Sequence, residues 1–396
     1  MVRLSRGVWA GERDGRMVVD DDVPVAGSKR LRRTTYVELF FDLVYIFIFF
    51  RLARSLADDL TWLGAYQALI LLLAVWWVWA YTNLLTDTMD SQRLPLQFLV
   101  MASTFAALLL STAIPEAFED RAHMFAVTYV AINLLRSGSG AIALRRQPLG
   151  RRPLRGFLWF AFSAVFWLAG MLVEEEARLV LWGVAILVDY VAAFAGWPVP
   201  GLGRARSVEW NLAGRHIAER YRQFTIIALG ETIAATGRTF HESDLSPVRG
   251  VAFTVAFVTS VLLYWIYFHR TRERLGPPFS GRPSGETRPA GFAHLVMVAG
   301  VVMITVANEL MIKDPTRPAP AAWVTVIVGG PALFLVGHAI LGRRAFARVT
   351  QPRLIGAGLL VAAGPALVSL PALAVTGVVV VVLLAVVTVE LAMPPN

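Results

Sequence analysis

Long apolar runs recur along the whole 396-residue chain, and they limit its fold more than any other feature. Two of them read ALILLLAVWWVWAY, from residue 68, and VTGVVVVVLLAVVTVEL, from residue 375. A helix needs about twenty apolar residues to cross the hydrocarbon core of a bilayer. Charged residues make up only 16% of the chain, against roughly 25% in soluble domains. We therefore predict an all-α, polytopic transmembrane helical bundle with the lipid bilayer as its main surroundings.

Counting these runs predicts about twelve membrane spans. Pro365 and Pro371 interrupt the eleventh, 353–370, so ten or eleven crossings with a re-entrant segment is the alternative. The predicted spans cover residues 36–55, 61–84, 94–114, 122–144, 156–173, 177–196, 222–240, 248–269, 291–312, 321–341, 353–370 and 372–392.

The charges between the spans predict an orientation. Alternate connections are basic, such as KRLRR before the first span and RRQPLGRRPLR after the fourth, while intervening ones are acidic, such as EEE at 174–176. Because positive loops stay inside, both termini are expected in the cytoplasm. This pattern also accounts for the net charge of +9 without a nucleic acid partner. Residues 1–35 lack an apolar segment and are expected to form a disordered cytoplasmic tail rather than a signal peptide.

Two short strings recur about half a chain apart. LVM at 99–101 returns at 295–297, and GAIALRR at 140–146 resembles HAILGRR at 338–344. The spacing suggests that a single transmembrane domain, 36–392, contains two parallel six-helix halves, 36–196 and 205–392. The stretch 205–220 mixes apolar and basic residues, which is typical of a surface helix that would join the halves.

Charged residues inside the spans are the functional candidates. Each costs about 2.5–3.5 kcal/mol on insertion scales and marks a site by default. A helix rise of about 1.5 Å per residue places Asp42, Asp189, Glu231 and Arg136 at similar depth, whereas Glu38 lies nearer the cytoplasmic rim. We therefore expect a buried polar cluster.

Two interpretations of this cluster stay open. Arg136 pairs with Asp42 or Glu231 and locks the bundle together. Alternatively, the surplus of acids leaves one carboxylate to carry protons, bind a cation or act as a general acid. Asn83 and Asp87, one helical turn apart, would either extend the cluster or form a solvated helix end.

Several kinds of chemistry are excluded by the sequence. The chain has no cysteine, so disulfides and thiolate metal sites are ruled out. It contains no P-loop, HExxH motif or potassium-filter sequence. No metal and no cofactor are expected.

The stretch ELFFDLVYIF, 38–47, resembles the first span of the bacterial low-temperature-requirement A (LtrA) membrane proteins. IPEAF at 114–118, HIAERYRQFTIIALGETI at 216–233, HLVMVAGVVMITVANEL at 294–310 and FLVGHAI at 334–340 follow in the family's order. The resemblance implies a multi-pass protein of the bacterial inner membrane without a settled activity. The chain departs from the family pattern at Tyr45 and in the bulky IFIFF that follows. The matching polar positions are Glu38, Asp42, His216, Glu219, Arg220 and Glu231.

Three functional hypotheses follow. The first is a transporter or channel-like protein for a small solute or ion, with Asp42 and Glu231 binding protons or cations. The second is a membrane-embedded enzyme acting on a lipid or isoprenoid-like substrate through carboxylate acid/base chemistry, which the aromatic content favours. The third is a structural or regulatory component without turnover. A homo-oligomer is compatible with all three, and the shape of the cavity beside the acids would separate them.

Overall fold

The computed structural model describes residues 35–89, 93–146, 150–205, 214–269, 287–342 and 347–393. The predicted tail, 1–35, lies outside these residues except for Thr35, as does most of the stretch predicted to form a surface helix. Residues 214–220 of that stretch belong to a long helix. Throughout the described ranges the chain is helical, with no strand, as predicted.

The described residues form twelve long α-helices, which we number in chain order. A short 3₁₀ helix, Ile114–Glu116, follows the third of them. Their bounds are α1 Tyr36–Asp58, α2 Trp62–Thr88, α3 Leu94–Ala113, α4 Ala122–Ala143, α5 Arg151–Gly170, α6 Glu175–Ala195, α7 Gly214–Glu242, α8 Pro247–Phe268, α9 Thr287–Lys313, α10 Ala321–Gly342, α11 Ala347–Leu367 and α12 Ala372–Ala392.

Each helix corresponds to one of the predicted spans. The largest difference is α7, which begins at Gly214 instead of at residue 222. Eight of the described helices are long and apolar enough to cross a membrane: α2, α3, α5, α6, α8, α9, α10 and α12. The number of twelve crossings and the cytoplasmic termini stay predictions.

The other four helices, α1, α4, α7 and α11, each bury at least one charged side chain. These side chains include Asp42, Arg136, Arg220 and Arg353, none more than 3% exposed. A charge inside a bundle is tolerated when neighbouring helices supply its partners. Buried charges also occur on helices of the apolar group, such as Asp189 on α6 and Glu390 on α12.

The first turn of α1 is fixed by a capping box. The Thr35 hydroxyl accepts from the backbone N–H of Glu38 over 3.4 Å, and the Glu38 carboxylate accepts from the Thr35 N–H over 2.8 Å. Such reciprocal bonds satisfy N–H groups that a helix start leaves free. They also hold the Glu38 side chain against the end of the helix.

We call α1–α6 the N-terminal half and α7–α12 the C-terminal half. Helices at equivalent positions in the two halves form equivalent contacts. The contacts of α1 with α2 and α3 correspond to those of α7 with α8 and α9, and the contact of α4 with α5 corresponds to that of α10 with α11. The halves meet where α1 and α2 pack against α7 and α9. We call the end of the bundle where α1 begins proximal and the end where α1 finishes distal.

The helices α9 and α10 approach backbone to backbone through glycines. A Cβ atom at Gly300 would lie 2.6 Å from the Gly330 carbonyl oxygen, and one at Gly337 would lie 2.7 Å from the Ala293 carbonyl oxygen. Small residues at such contacts are the usual means of close helix packing in membranes. This pair forms the tightest part of the C-terminal half.

Candidate functional site

A buried arginine joins the two halves near the proximal end. Arg220 of α7 donates from Nη2 to Asp42 Oδ1 of α1 over 2.7 Å and to Asn83 Oδ1 of α2 over 2.6 Å. Its Nη1 lies 3.6 Å from Glu38 Oε1. All four side chains are at most 4% exposed. We call these four residues the proximal network.

Only one of the two carboxylate oxygens of Asp42 accepts hydrogen bonds from the described residues. Trp79 Nε1 donates to Asp42 Oδ1 over 2.8 Å, so this oxygen has two donors. Asp42 Oδ2 accepts no hydrogen bond from the residues that the structure describes, although it is buried. A buried acceptor of this kind is a position where a proton or a cation would be stabilised.

Glu231 belongs to a different level of the bundle. Its Oε1 accepts from Arg238 Nη2 over 2.6 Å, and the Arg238 guanidinium lies 4.2 Å from the centre of the Phe50 ring on α1. The helix rise separates Glu231 from Arg220 by roughly 16 Å along α7. The prediction that Asp42 and Glu231 lie at the same depth is therefore wrong.

A further charged contact between the halves lies at the distal end. Glu309 of α9 accepts from Lys313 Nζ over 2.6 Å, and Arg54 Nη1 of α1 lies 3.6 Å from Glu309 Oε1. Together with Glu231 and Arg238, these residues form the distal network. A cavity of about 510 Å³ with charged walls, which include Arg54, opens nearby.

An aromatic layer separates the two networks. It consists of Tyr45, Phe49, Trp76, Trp79 and Phe224, with Phe224 of α7 in ring contact with the other four at 4.1–5.7 Å. Along α1 and α7 its members lie between the charged residues of the proximal network and those of the distal network. All five are at most 4% exposed, so the layer is buried in the bundle between the two networks.

Arg136 is buried without a carboxylate. It donates to Thr82 Oγ1 over 2.6 Å, to Asn133 Oδ1 over 2.5 Å and to the carbonyl of Val78, and it faces the Tyr81 ring at 5.3 Å. Among the described residues it forms no ion pair. Neutral acceptors and one π face therefore hold this guanidinium.

The predicted pairing of Arg136 with Asp42 or Glu231 is thus replaced by another arrangement. Asp42 pairs with Arg220 and Glu231 pairs with Arg238. Arg136 contacts Val78 and Thr82 of α2, whereas the next residues along that helix, Trp79 and Asn83, contact the proximal network.

Asp189 stands apart from both networks. Its Oδ2 accepts from the Tyr129 hydroxyl over 3.0 Å, and its side chain is 1% exposed. No arginine or lysine in the described ranges forms an ion pair with it. The structure therefore does not bring Asp189 together with Asp42, Glu231 or Arg136 as one cluster.

Some of the remaining residues singled out from the sequence belong to the proximal network, and others lie outside it. Asn83 and Arg220, expected as support, are central members of the proximal network. Asp87 lies one turn further along α2, on the wall of a cavity. Glu219 faces outward and pairs with Arg222 over 3.0 Å. The side chain of His216 lies outside the described part of the chain.

A second buried network lies in the C-terminal half, and the sequence did not predict its pairing. Arg353 donates to Glu390 Oε1 and Oε2 over 2.6 and 3.0 Å and to His338 Nδ1. Nearby, the Tyr267 hydroxyl and His294 Nε2 are 2.9 Å apart. The signal was Glu390, a lone acid in the most apolar helix, which needs a buried cation as partner.

A cavity of about 140 Å³, the proximal pocket, lies between the halves beside the proximal network. Its wall is mainly aromatic, with Trp77, Tyr81, Trp197 and Tyr221, and Asn83 supplies one of the few polar groups. Two further wall residues, Phe194 and Phe292, are 58% and 47% exposed on their helices. The pocket thus continues toward the outer, apolar surface of the bundle.

The fold and these buried charges define a many-helix membrane protein with a polar interior between two six-helix halves. The model of the bacterial low temperature requirement A protein (LtrA) family matches residues 33–388, and the chain belongs to this family. It is also 33% identical to an uncharacterized protein of Rhizobium meliloti (strain 1021) over 311 residues, 77% of this chain and 76% of that protein. No solved structure matches. The resemblance read from the sequence motifs is confirmed.

Proposed function

We propose that this LtrA-family protein is a transporter for a small solute or ion in the bacterial inner membrane. The observation that carries the proposal is the pairing of charges across the interface of the halves at both ends, with an aromatic layer between. Breaking one set of contacts while keeping the other would open one end at a time, as in alternating access. The parallel packing of the two halves agrees with an internal duplication.

The buried carboxylates supply the coupling. Asp42 Oδ2 in the proximal network and Glu231 Oε2 in the distal network are both buried and accept no hydrogen bond from the described residues. A proton or cation bound at either carboxylate would weaken its pairing with the neighbouring arginine. In the proximal network, where Asp42 of α1 pairs with Arg220 of α7, binding would thereby favour separation of the halves.

Flux into proteoliposomes tests the proposal. Vesicles with entrapped pyranine report proton movement under an imposed sodium or potassium gradient, for the wild type, Asp42→Asn and Glu231→Gln. We expect wild-type flux above that of empty vesicles and at least about a tenfold loss in both variants. Glu219→Gln, which changes an exposed carboxylate on α7, serves as control and should retain flux. Wild-type vesicles no leakier than empty ones, or two fully active variants, would contradict the proposal.

The second candidate is a membrane-embedded enzyme for a lipid or isoprenoid-like substrate. It is favoured by the aromatic wall of the proximal pocket and by its extension to Phe194 and Phe292, since such a shape admits a ligand from the bilayer. Incubating the purified protein with a bacterial polar lipid extract and following the lipids by mass spectrometry tests it. A new product that Asp42→Asn fails to form would support the enzyme over the transporter.

A further inference from the structure

The side-chain amide of Asn83 has an enforced orientation. Its Oδ1 accepts from Arg220 over 2.6 Å, and exchanging the amide oxygen and nitrogen would bring two donors together. Nδ2 therefore points away from the guanidinium. It has no acceptor among the described residues, although Asn83 is 4% exposed and lines the proximal pocket.

A second donor in the same wall is also unsatisfied. The buried Nε1 of Trp77 has no acceptor in the described part of the chain. The Trp77 ring is fixed by contacts with Tyr190 and Trp197 at 5.1 and 6.4 Å. A buried donor without a partner costs about 1–3 kcal/mol, so two in one small pocket indicate an absent acceptor.

The charges in the wall of the proximal pocket are mixed. Arg152 is 6% exposed, and its guanidinium lies 5.9 Å from the centre of the Trp197 ring. Asp87 is the acid of the wall and lies one helical turn beyond Asn83, toward the proximal end. The wall of the two orphan donors therefore holds one cation and one acid.

We propose that the proximal pocket binds a small aromatic or similarly apolar molecule that carries a carbonyl or carboxylate oxygen, for which Asn83 Nδ2 and Trp77 Nε1 are the available donors in the wall. The volume of about 140 Å³ suits a single ring with a short polar group, since a cavity of about 150 Å³ holds benzene. A longer apolar substituent extends between Phe194 and Phe292. The inference that such a molecule is the substrate rests on the proposed transport function.

The same contact connects the ligand to the interface of the halves. Asn83 faces the ligand with its nitrogen and Arg220 with its oxygen, and Arg220 pairs in turn with Asp42. A ligand that pulls on the amide therefore acts on the ion pair between α1 and α7. Ligand binding in the proximal pocket would therefore affect the proximal network through Asn83.

Equilibrium binding to the full chain in lipid nanodiscs tests the inference. Benzoate, benzamide and benzylamine share one ring and differ in the polar group, and saturation-transfer NMR titrations measure their affinities. Trp77→Phe removes one donor and keeps the ring. Asn83→Asp keeps an oxygen for Arg220 and removes the other donor. Trp265→Phe, on α8 away from the pocket, is the matched control.

We expect benzoate and benzamide to bind the wild type and the control, and benzylamine to bind at least about tenfold more weakly. At least one of the two pocket variants should weaken benzamide about tenfold. Benzamide is neutral, so its loss in Asn83→Asp reflects the missing donor and not charge repulsion. Benzylamine binding as tightly as benzoate, no binding by any probe, or unchanged benzamide affinity in correctly folded variants would overturn the proposal.

This experiment separates the pocket from the transport function. It measures binding at equilibrium and needs no flux. Specific benzamide binding in a protein that moves no ion or solute would refute the transport proposal and support the binding pocket. Active flux without binding of any probe would support transport and refute the binding pocket.

Discussion

Arg220 and Asp42 form an ion pair between α7 and α1 over 2.7 Å, and neither side chain is more than 1% exposed. Two charges removed from water this completely are stable only while each has the other and its remaining hydrogen bonds. Asn83 and Trp79 supply two of those bonds. The contact between the halves at the proximal end therefore depends on charge pairing as well as on apolar packing.

Arg220→Gln should destabilise the protein strongly. Removing the guanidinium leaves Asp42 buried without its cation, and breaking a buried pair in this way costs about 3–5 kcal/mol. Thermal unfolding, followed by the loss of monodisperse protein in size-exclusion chromatography, measures the effect. Arg222→Gln is the matched control, since the Arg222–Glu219 pair on the same helix is partly exposed and worth at most about 1 kcal/mol. Equal losses in the two variants would contradict the buried pairing.

The Arg353–Glu390 pair should behave non-additively. Arg353→Met or Glu390→Leu alone leaves one buried charge and should cost about 3–5 kcal/mol, whereas the double variant replaces both charges by apolar side chains and should cost much less. A double-mutant cycle on the unfolding midpoints measures the coupling. Simple addition of the two single losses would show that the pair is not formed.

Gly300→Ala should weaken the packing of α9 against α10. The added methyl would lie 2.6 Å from the Gly330 carbonyl oxygen, and such overpacking costs about 1–3 kcal/mol. At Gly377 of α12 a Cβ atom would meet nothing within 4 Å, so Gly377→Ala should be neutral or stabilise its helix by about 1 kcal/mol. Unfolding midpoints of the two variants should therefore move in opposite directions or differ clearly.

A cysteine pair can test movement at the distal end. The chain contains no cysteine, so Arg54→Cys with Glu309→Cys introduces the only thiols. These side chains face each other across the halves, and a short bifunctional thiol reagent should join them and stop flux in proteoliposomes. The double variant before treatment gives the reference flux, and Arg54→Cys alone should lose no further flux when treated with the same reagent. Full activity of the cross-linked pair would show that the distal contact does not open during turnover.

The positions of the helices could be predicted because bilayer thickness demands long apolar runs, and these runs are local in sequence. The positions of charged groups within the bundle could not be predicted so well. The depth of Glu231 was counted from a span starting at 222, but α7 begins at Gly214 and carries Arg220 into the interior. A residue that looks like part of a basic loop is buried because α1 supplies acids for it.

The choice of partner for Asp42 was equally beyond local reasoning. Arg136 and Arg220 are both arginines near the right depth, and only the packing of the helices decides which one reaches Asp42. The useful signal was the family motif, since Asp42 and Arg220 both lie in stretches that match it. Pairing the two motif segments with each other would have found the contact.

The glycine contact between α9 and α10 also determines how force would pass through the molecule. Backbones that touch directly have no side-chain rotamers through which to relax, so α9 cannot tilt without taking α10 with it. The helix α9 also packs against α1 and α2. A displacement of α9 at that interface would therefore move α10 with it as one rigid unit. A rearrangement that begins at the proximal pocket would then reach Arg353 and Glu390 without any flexible intermediate.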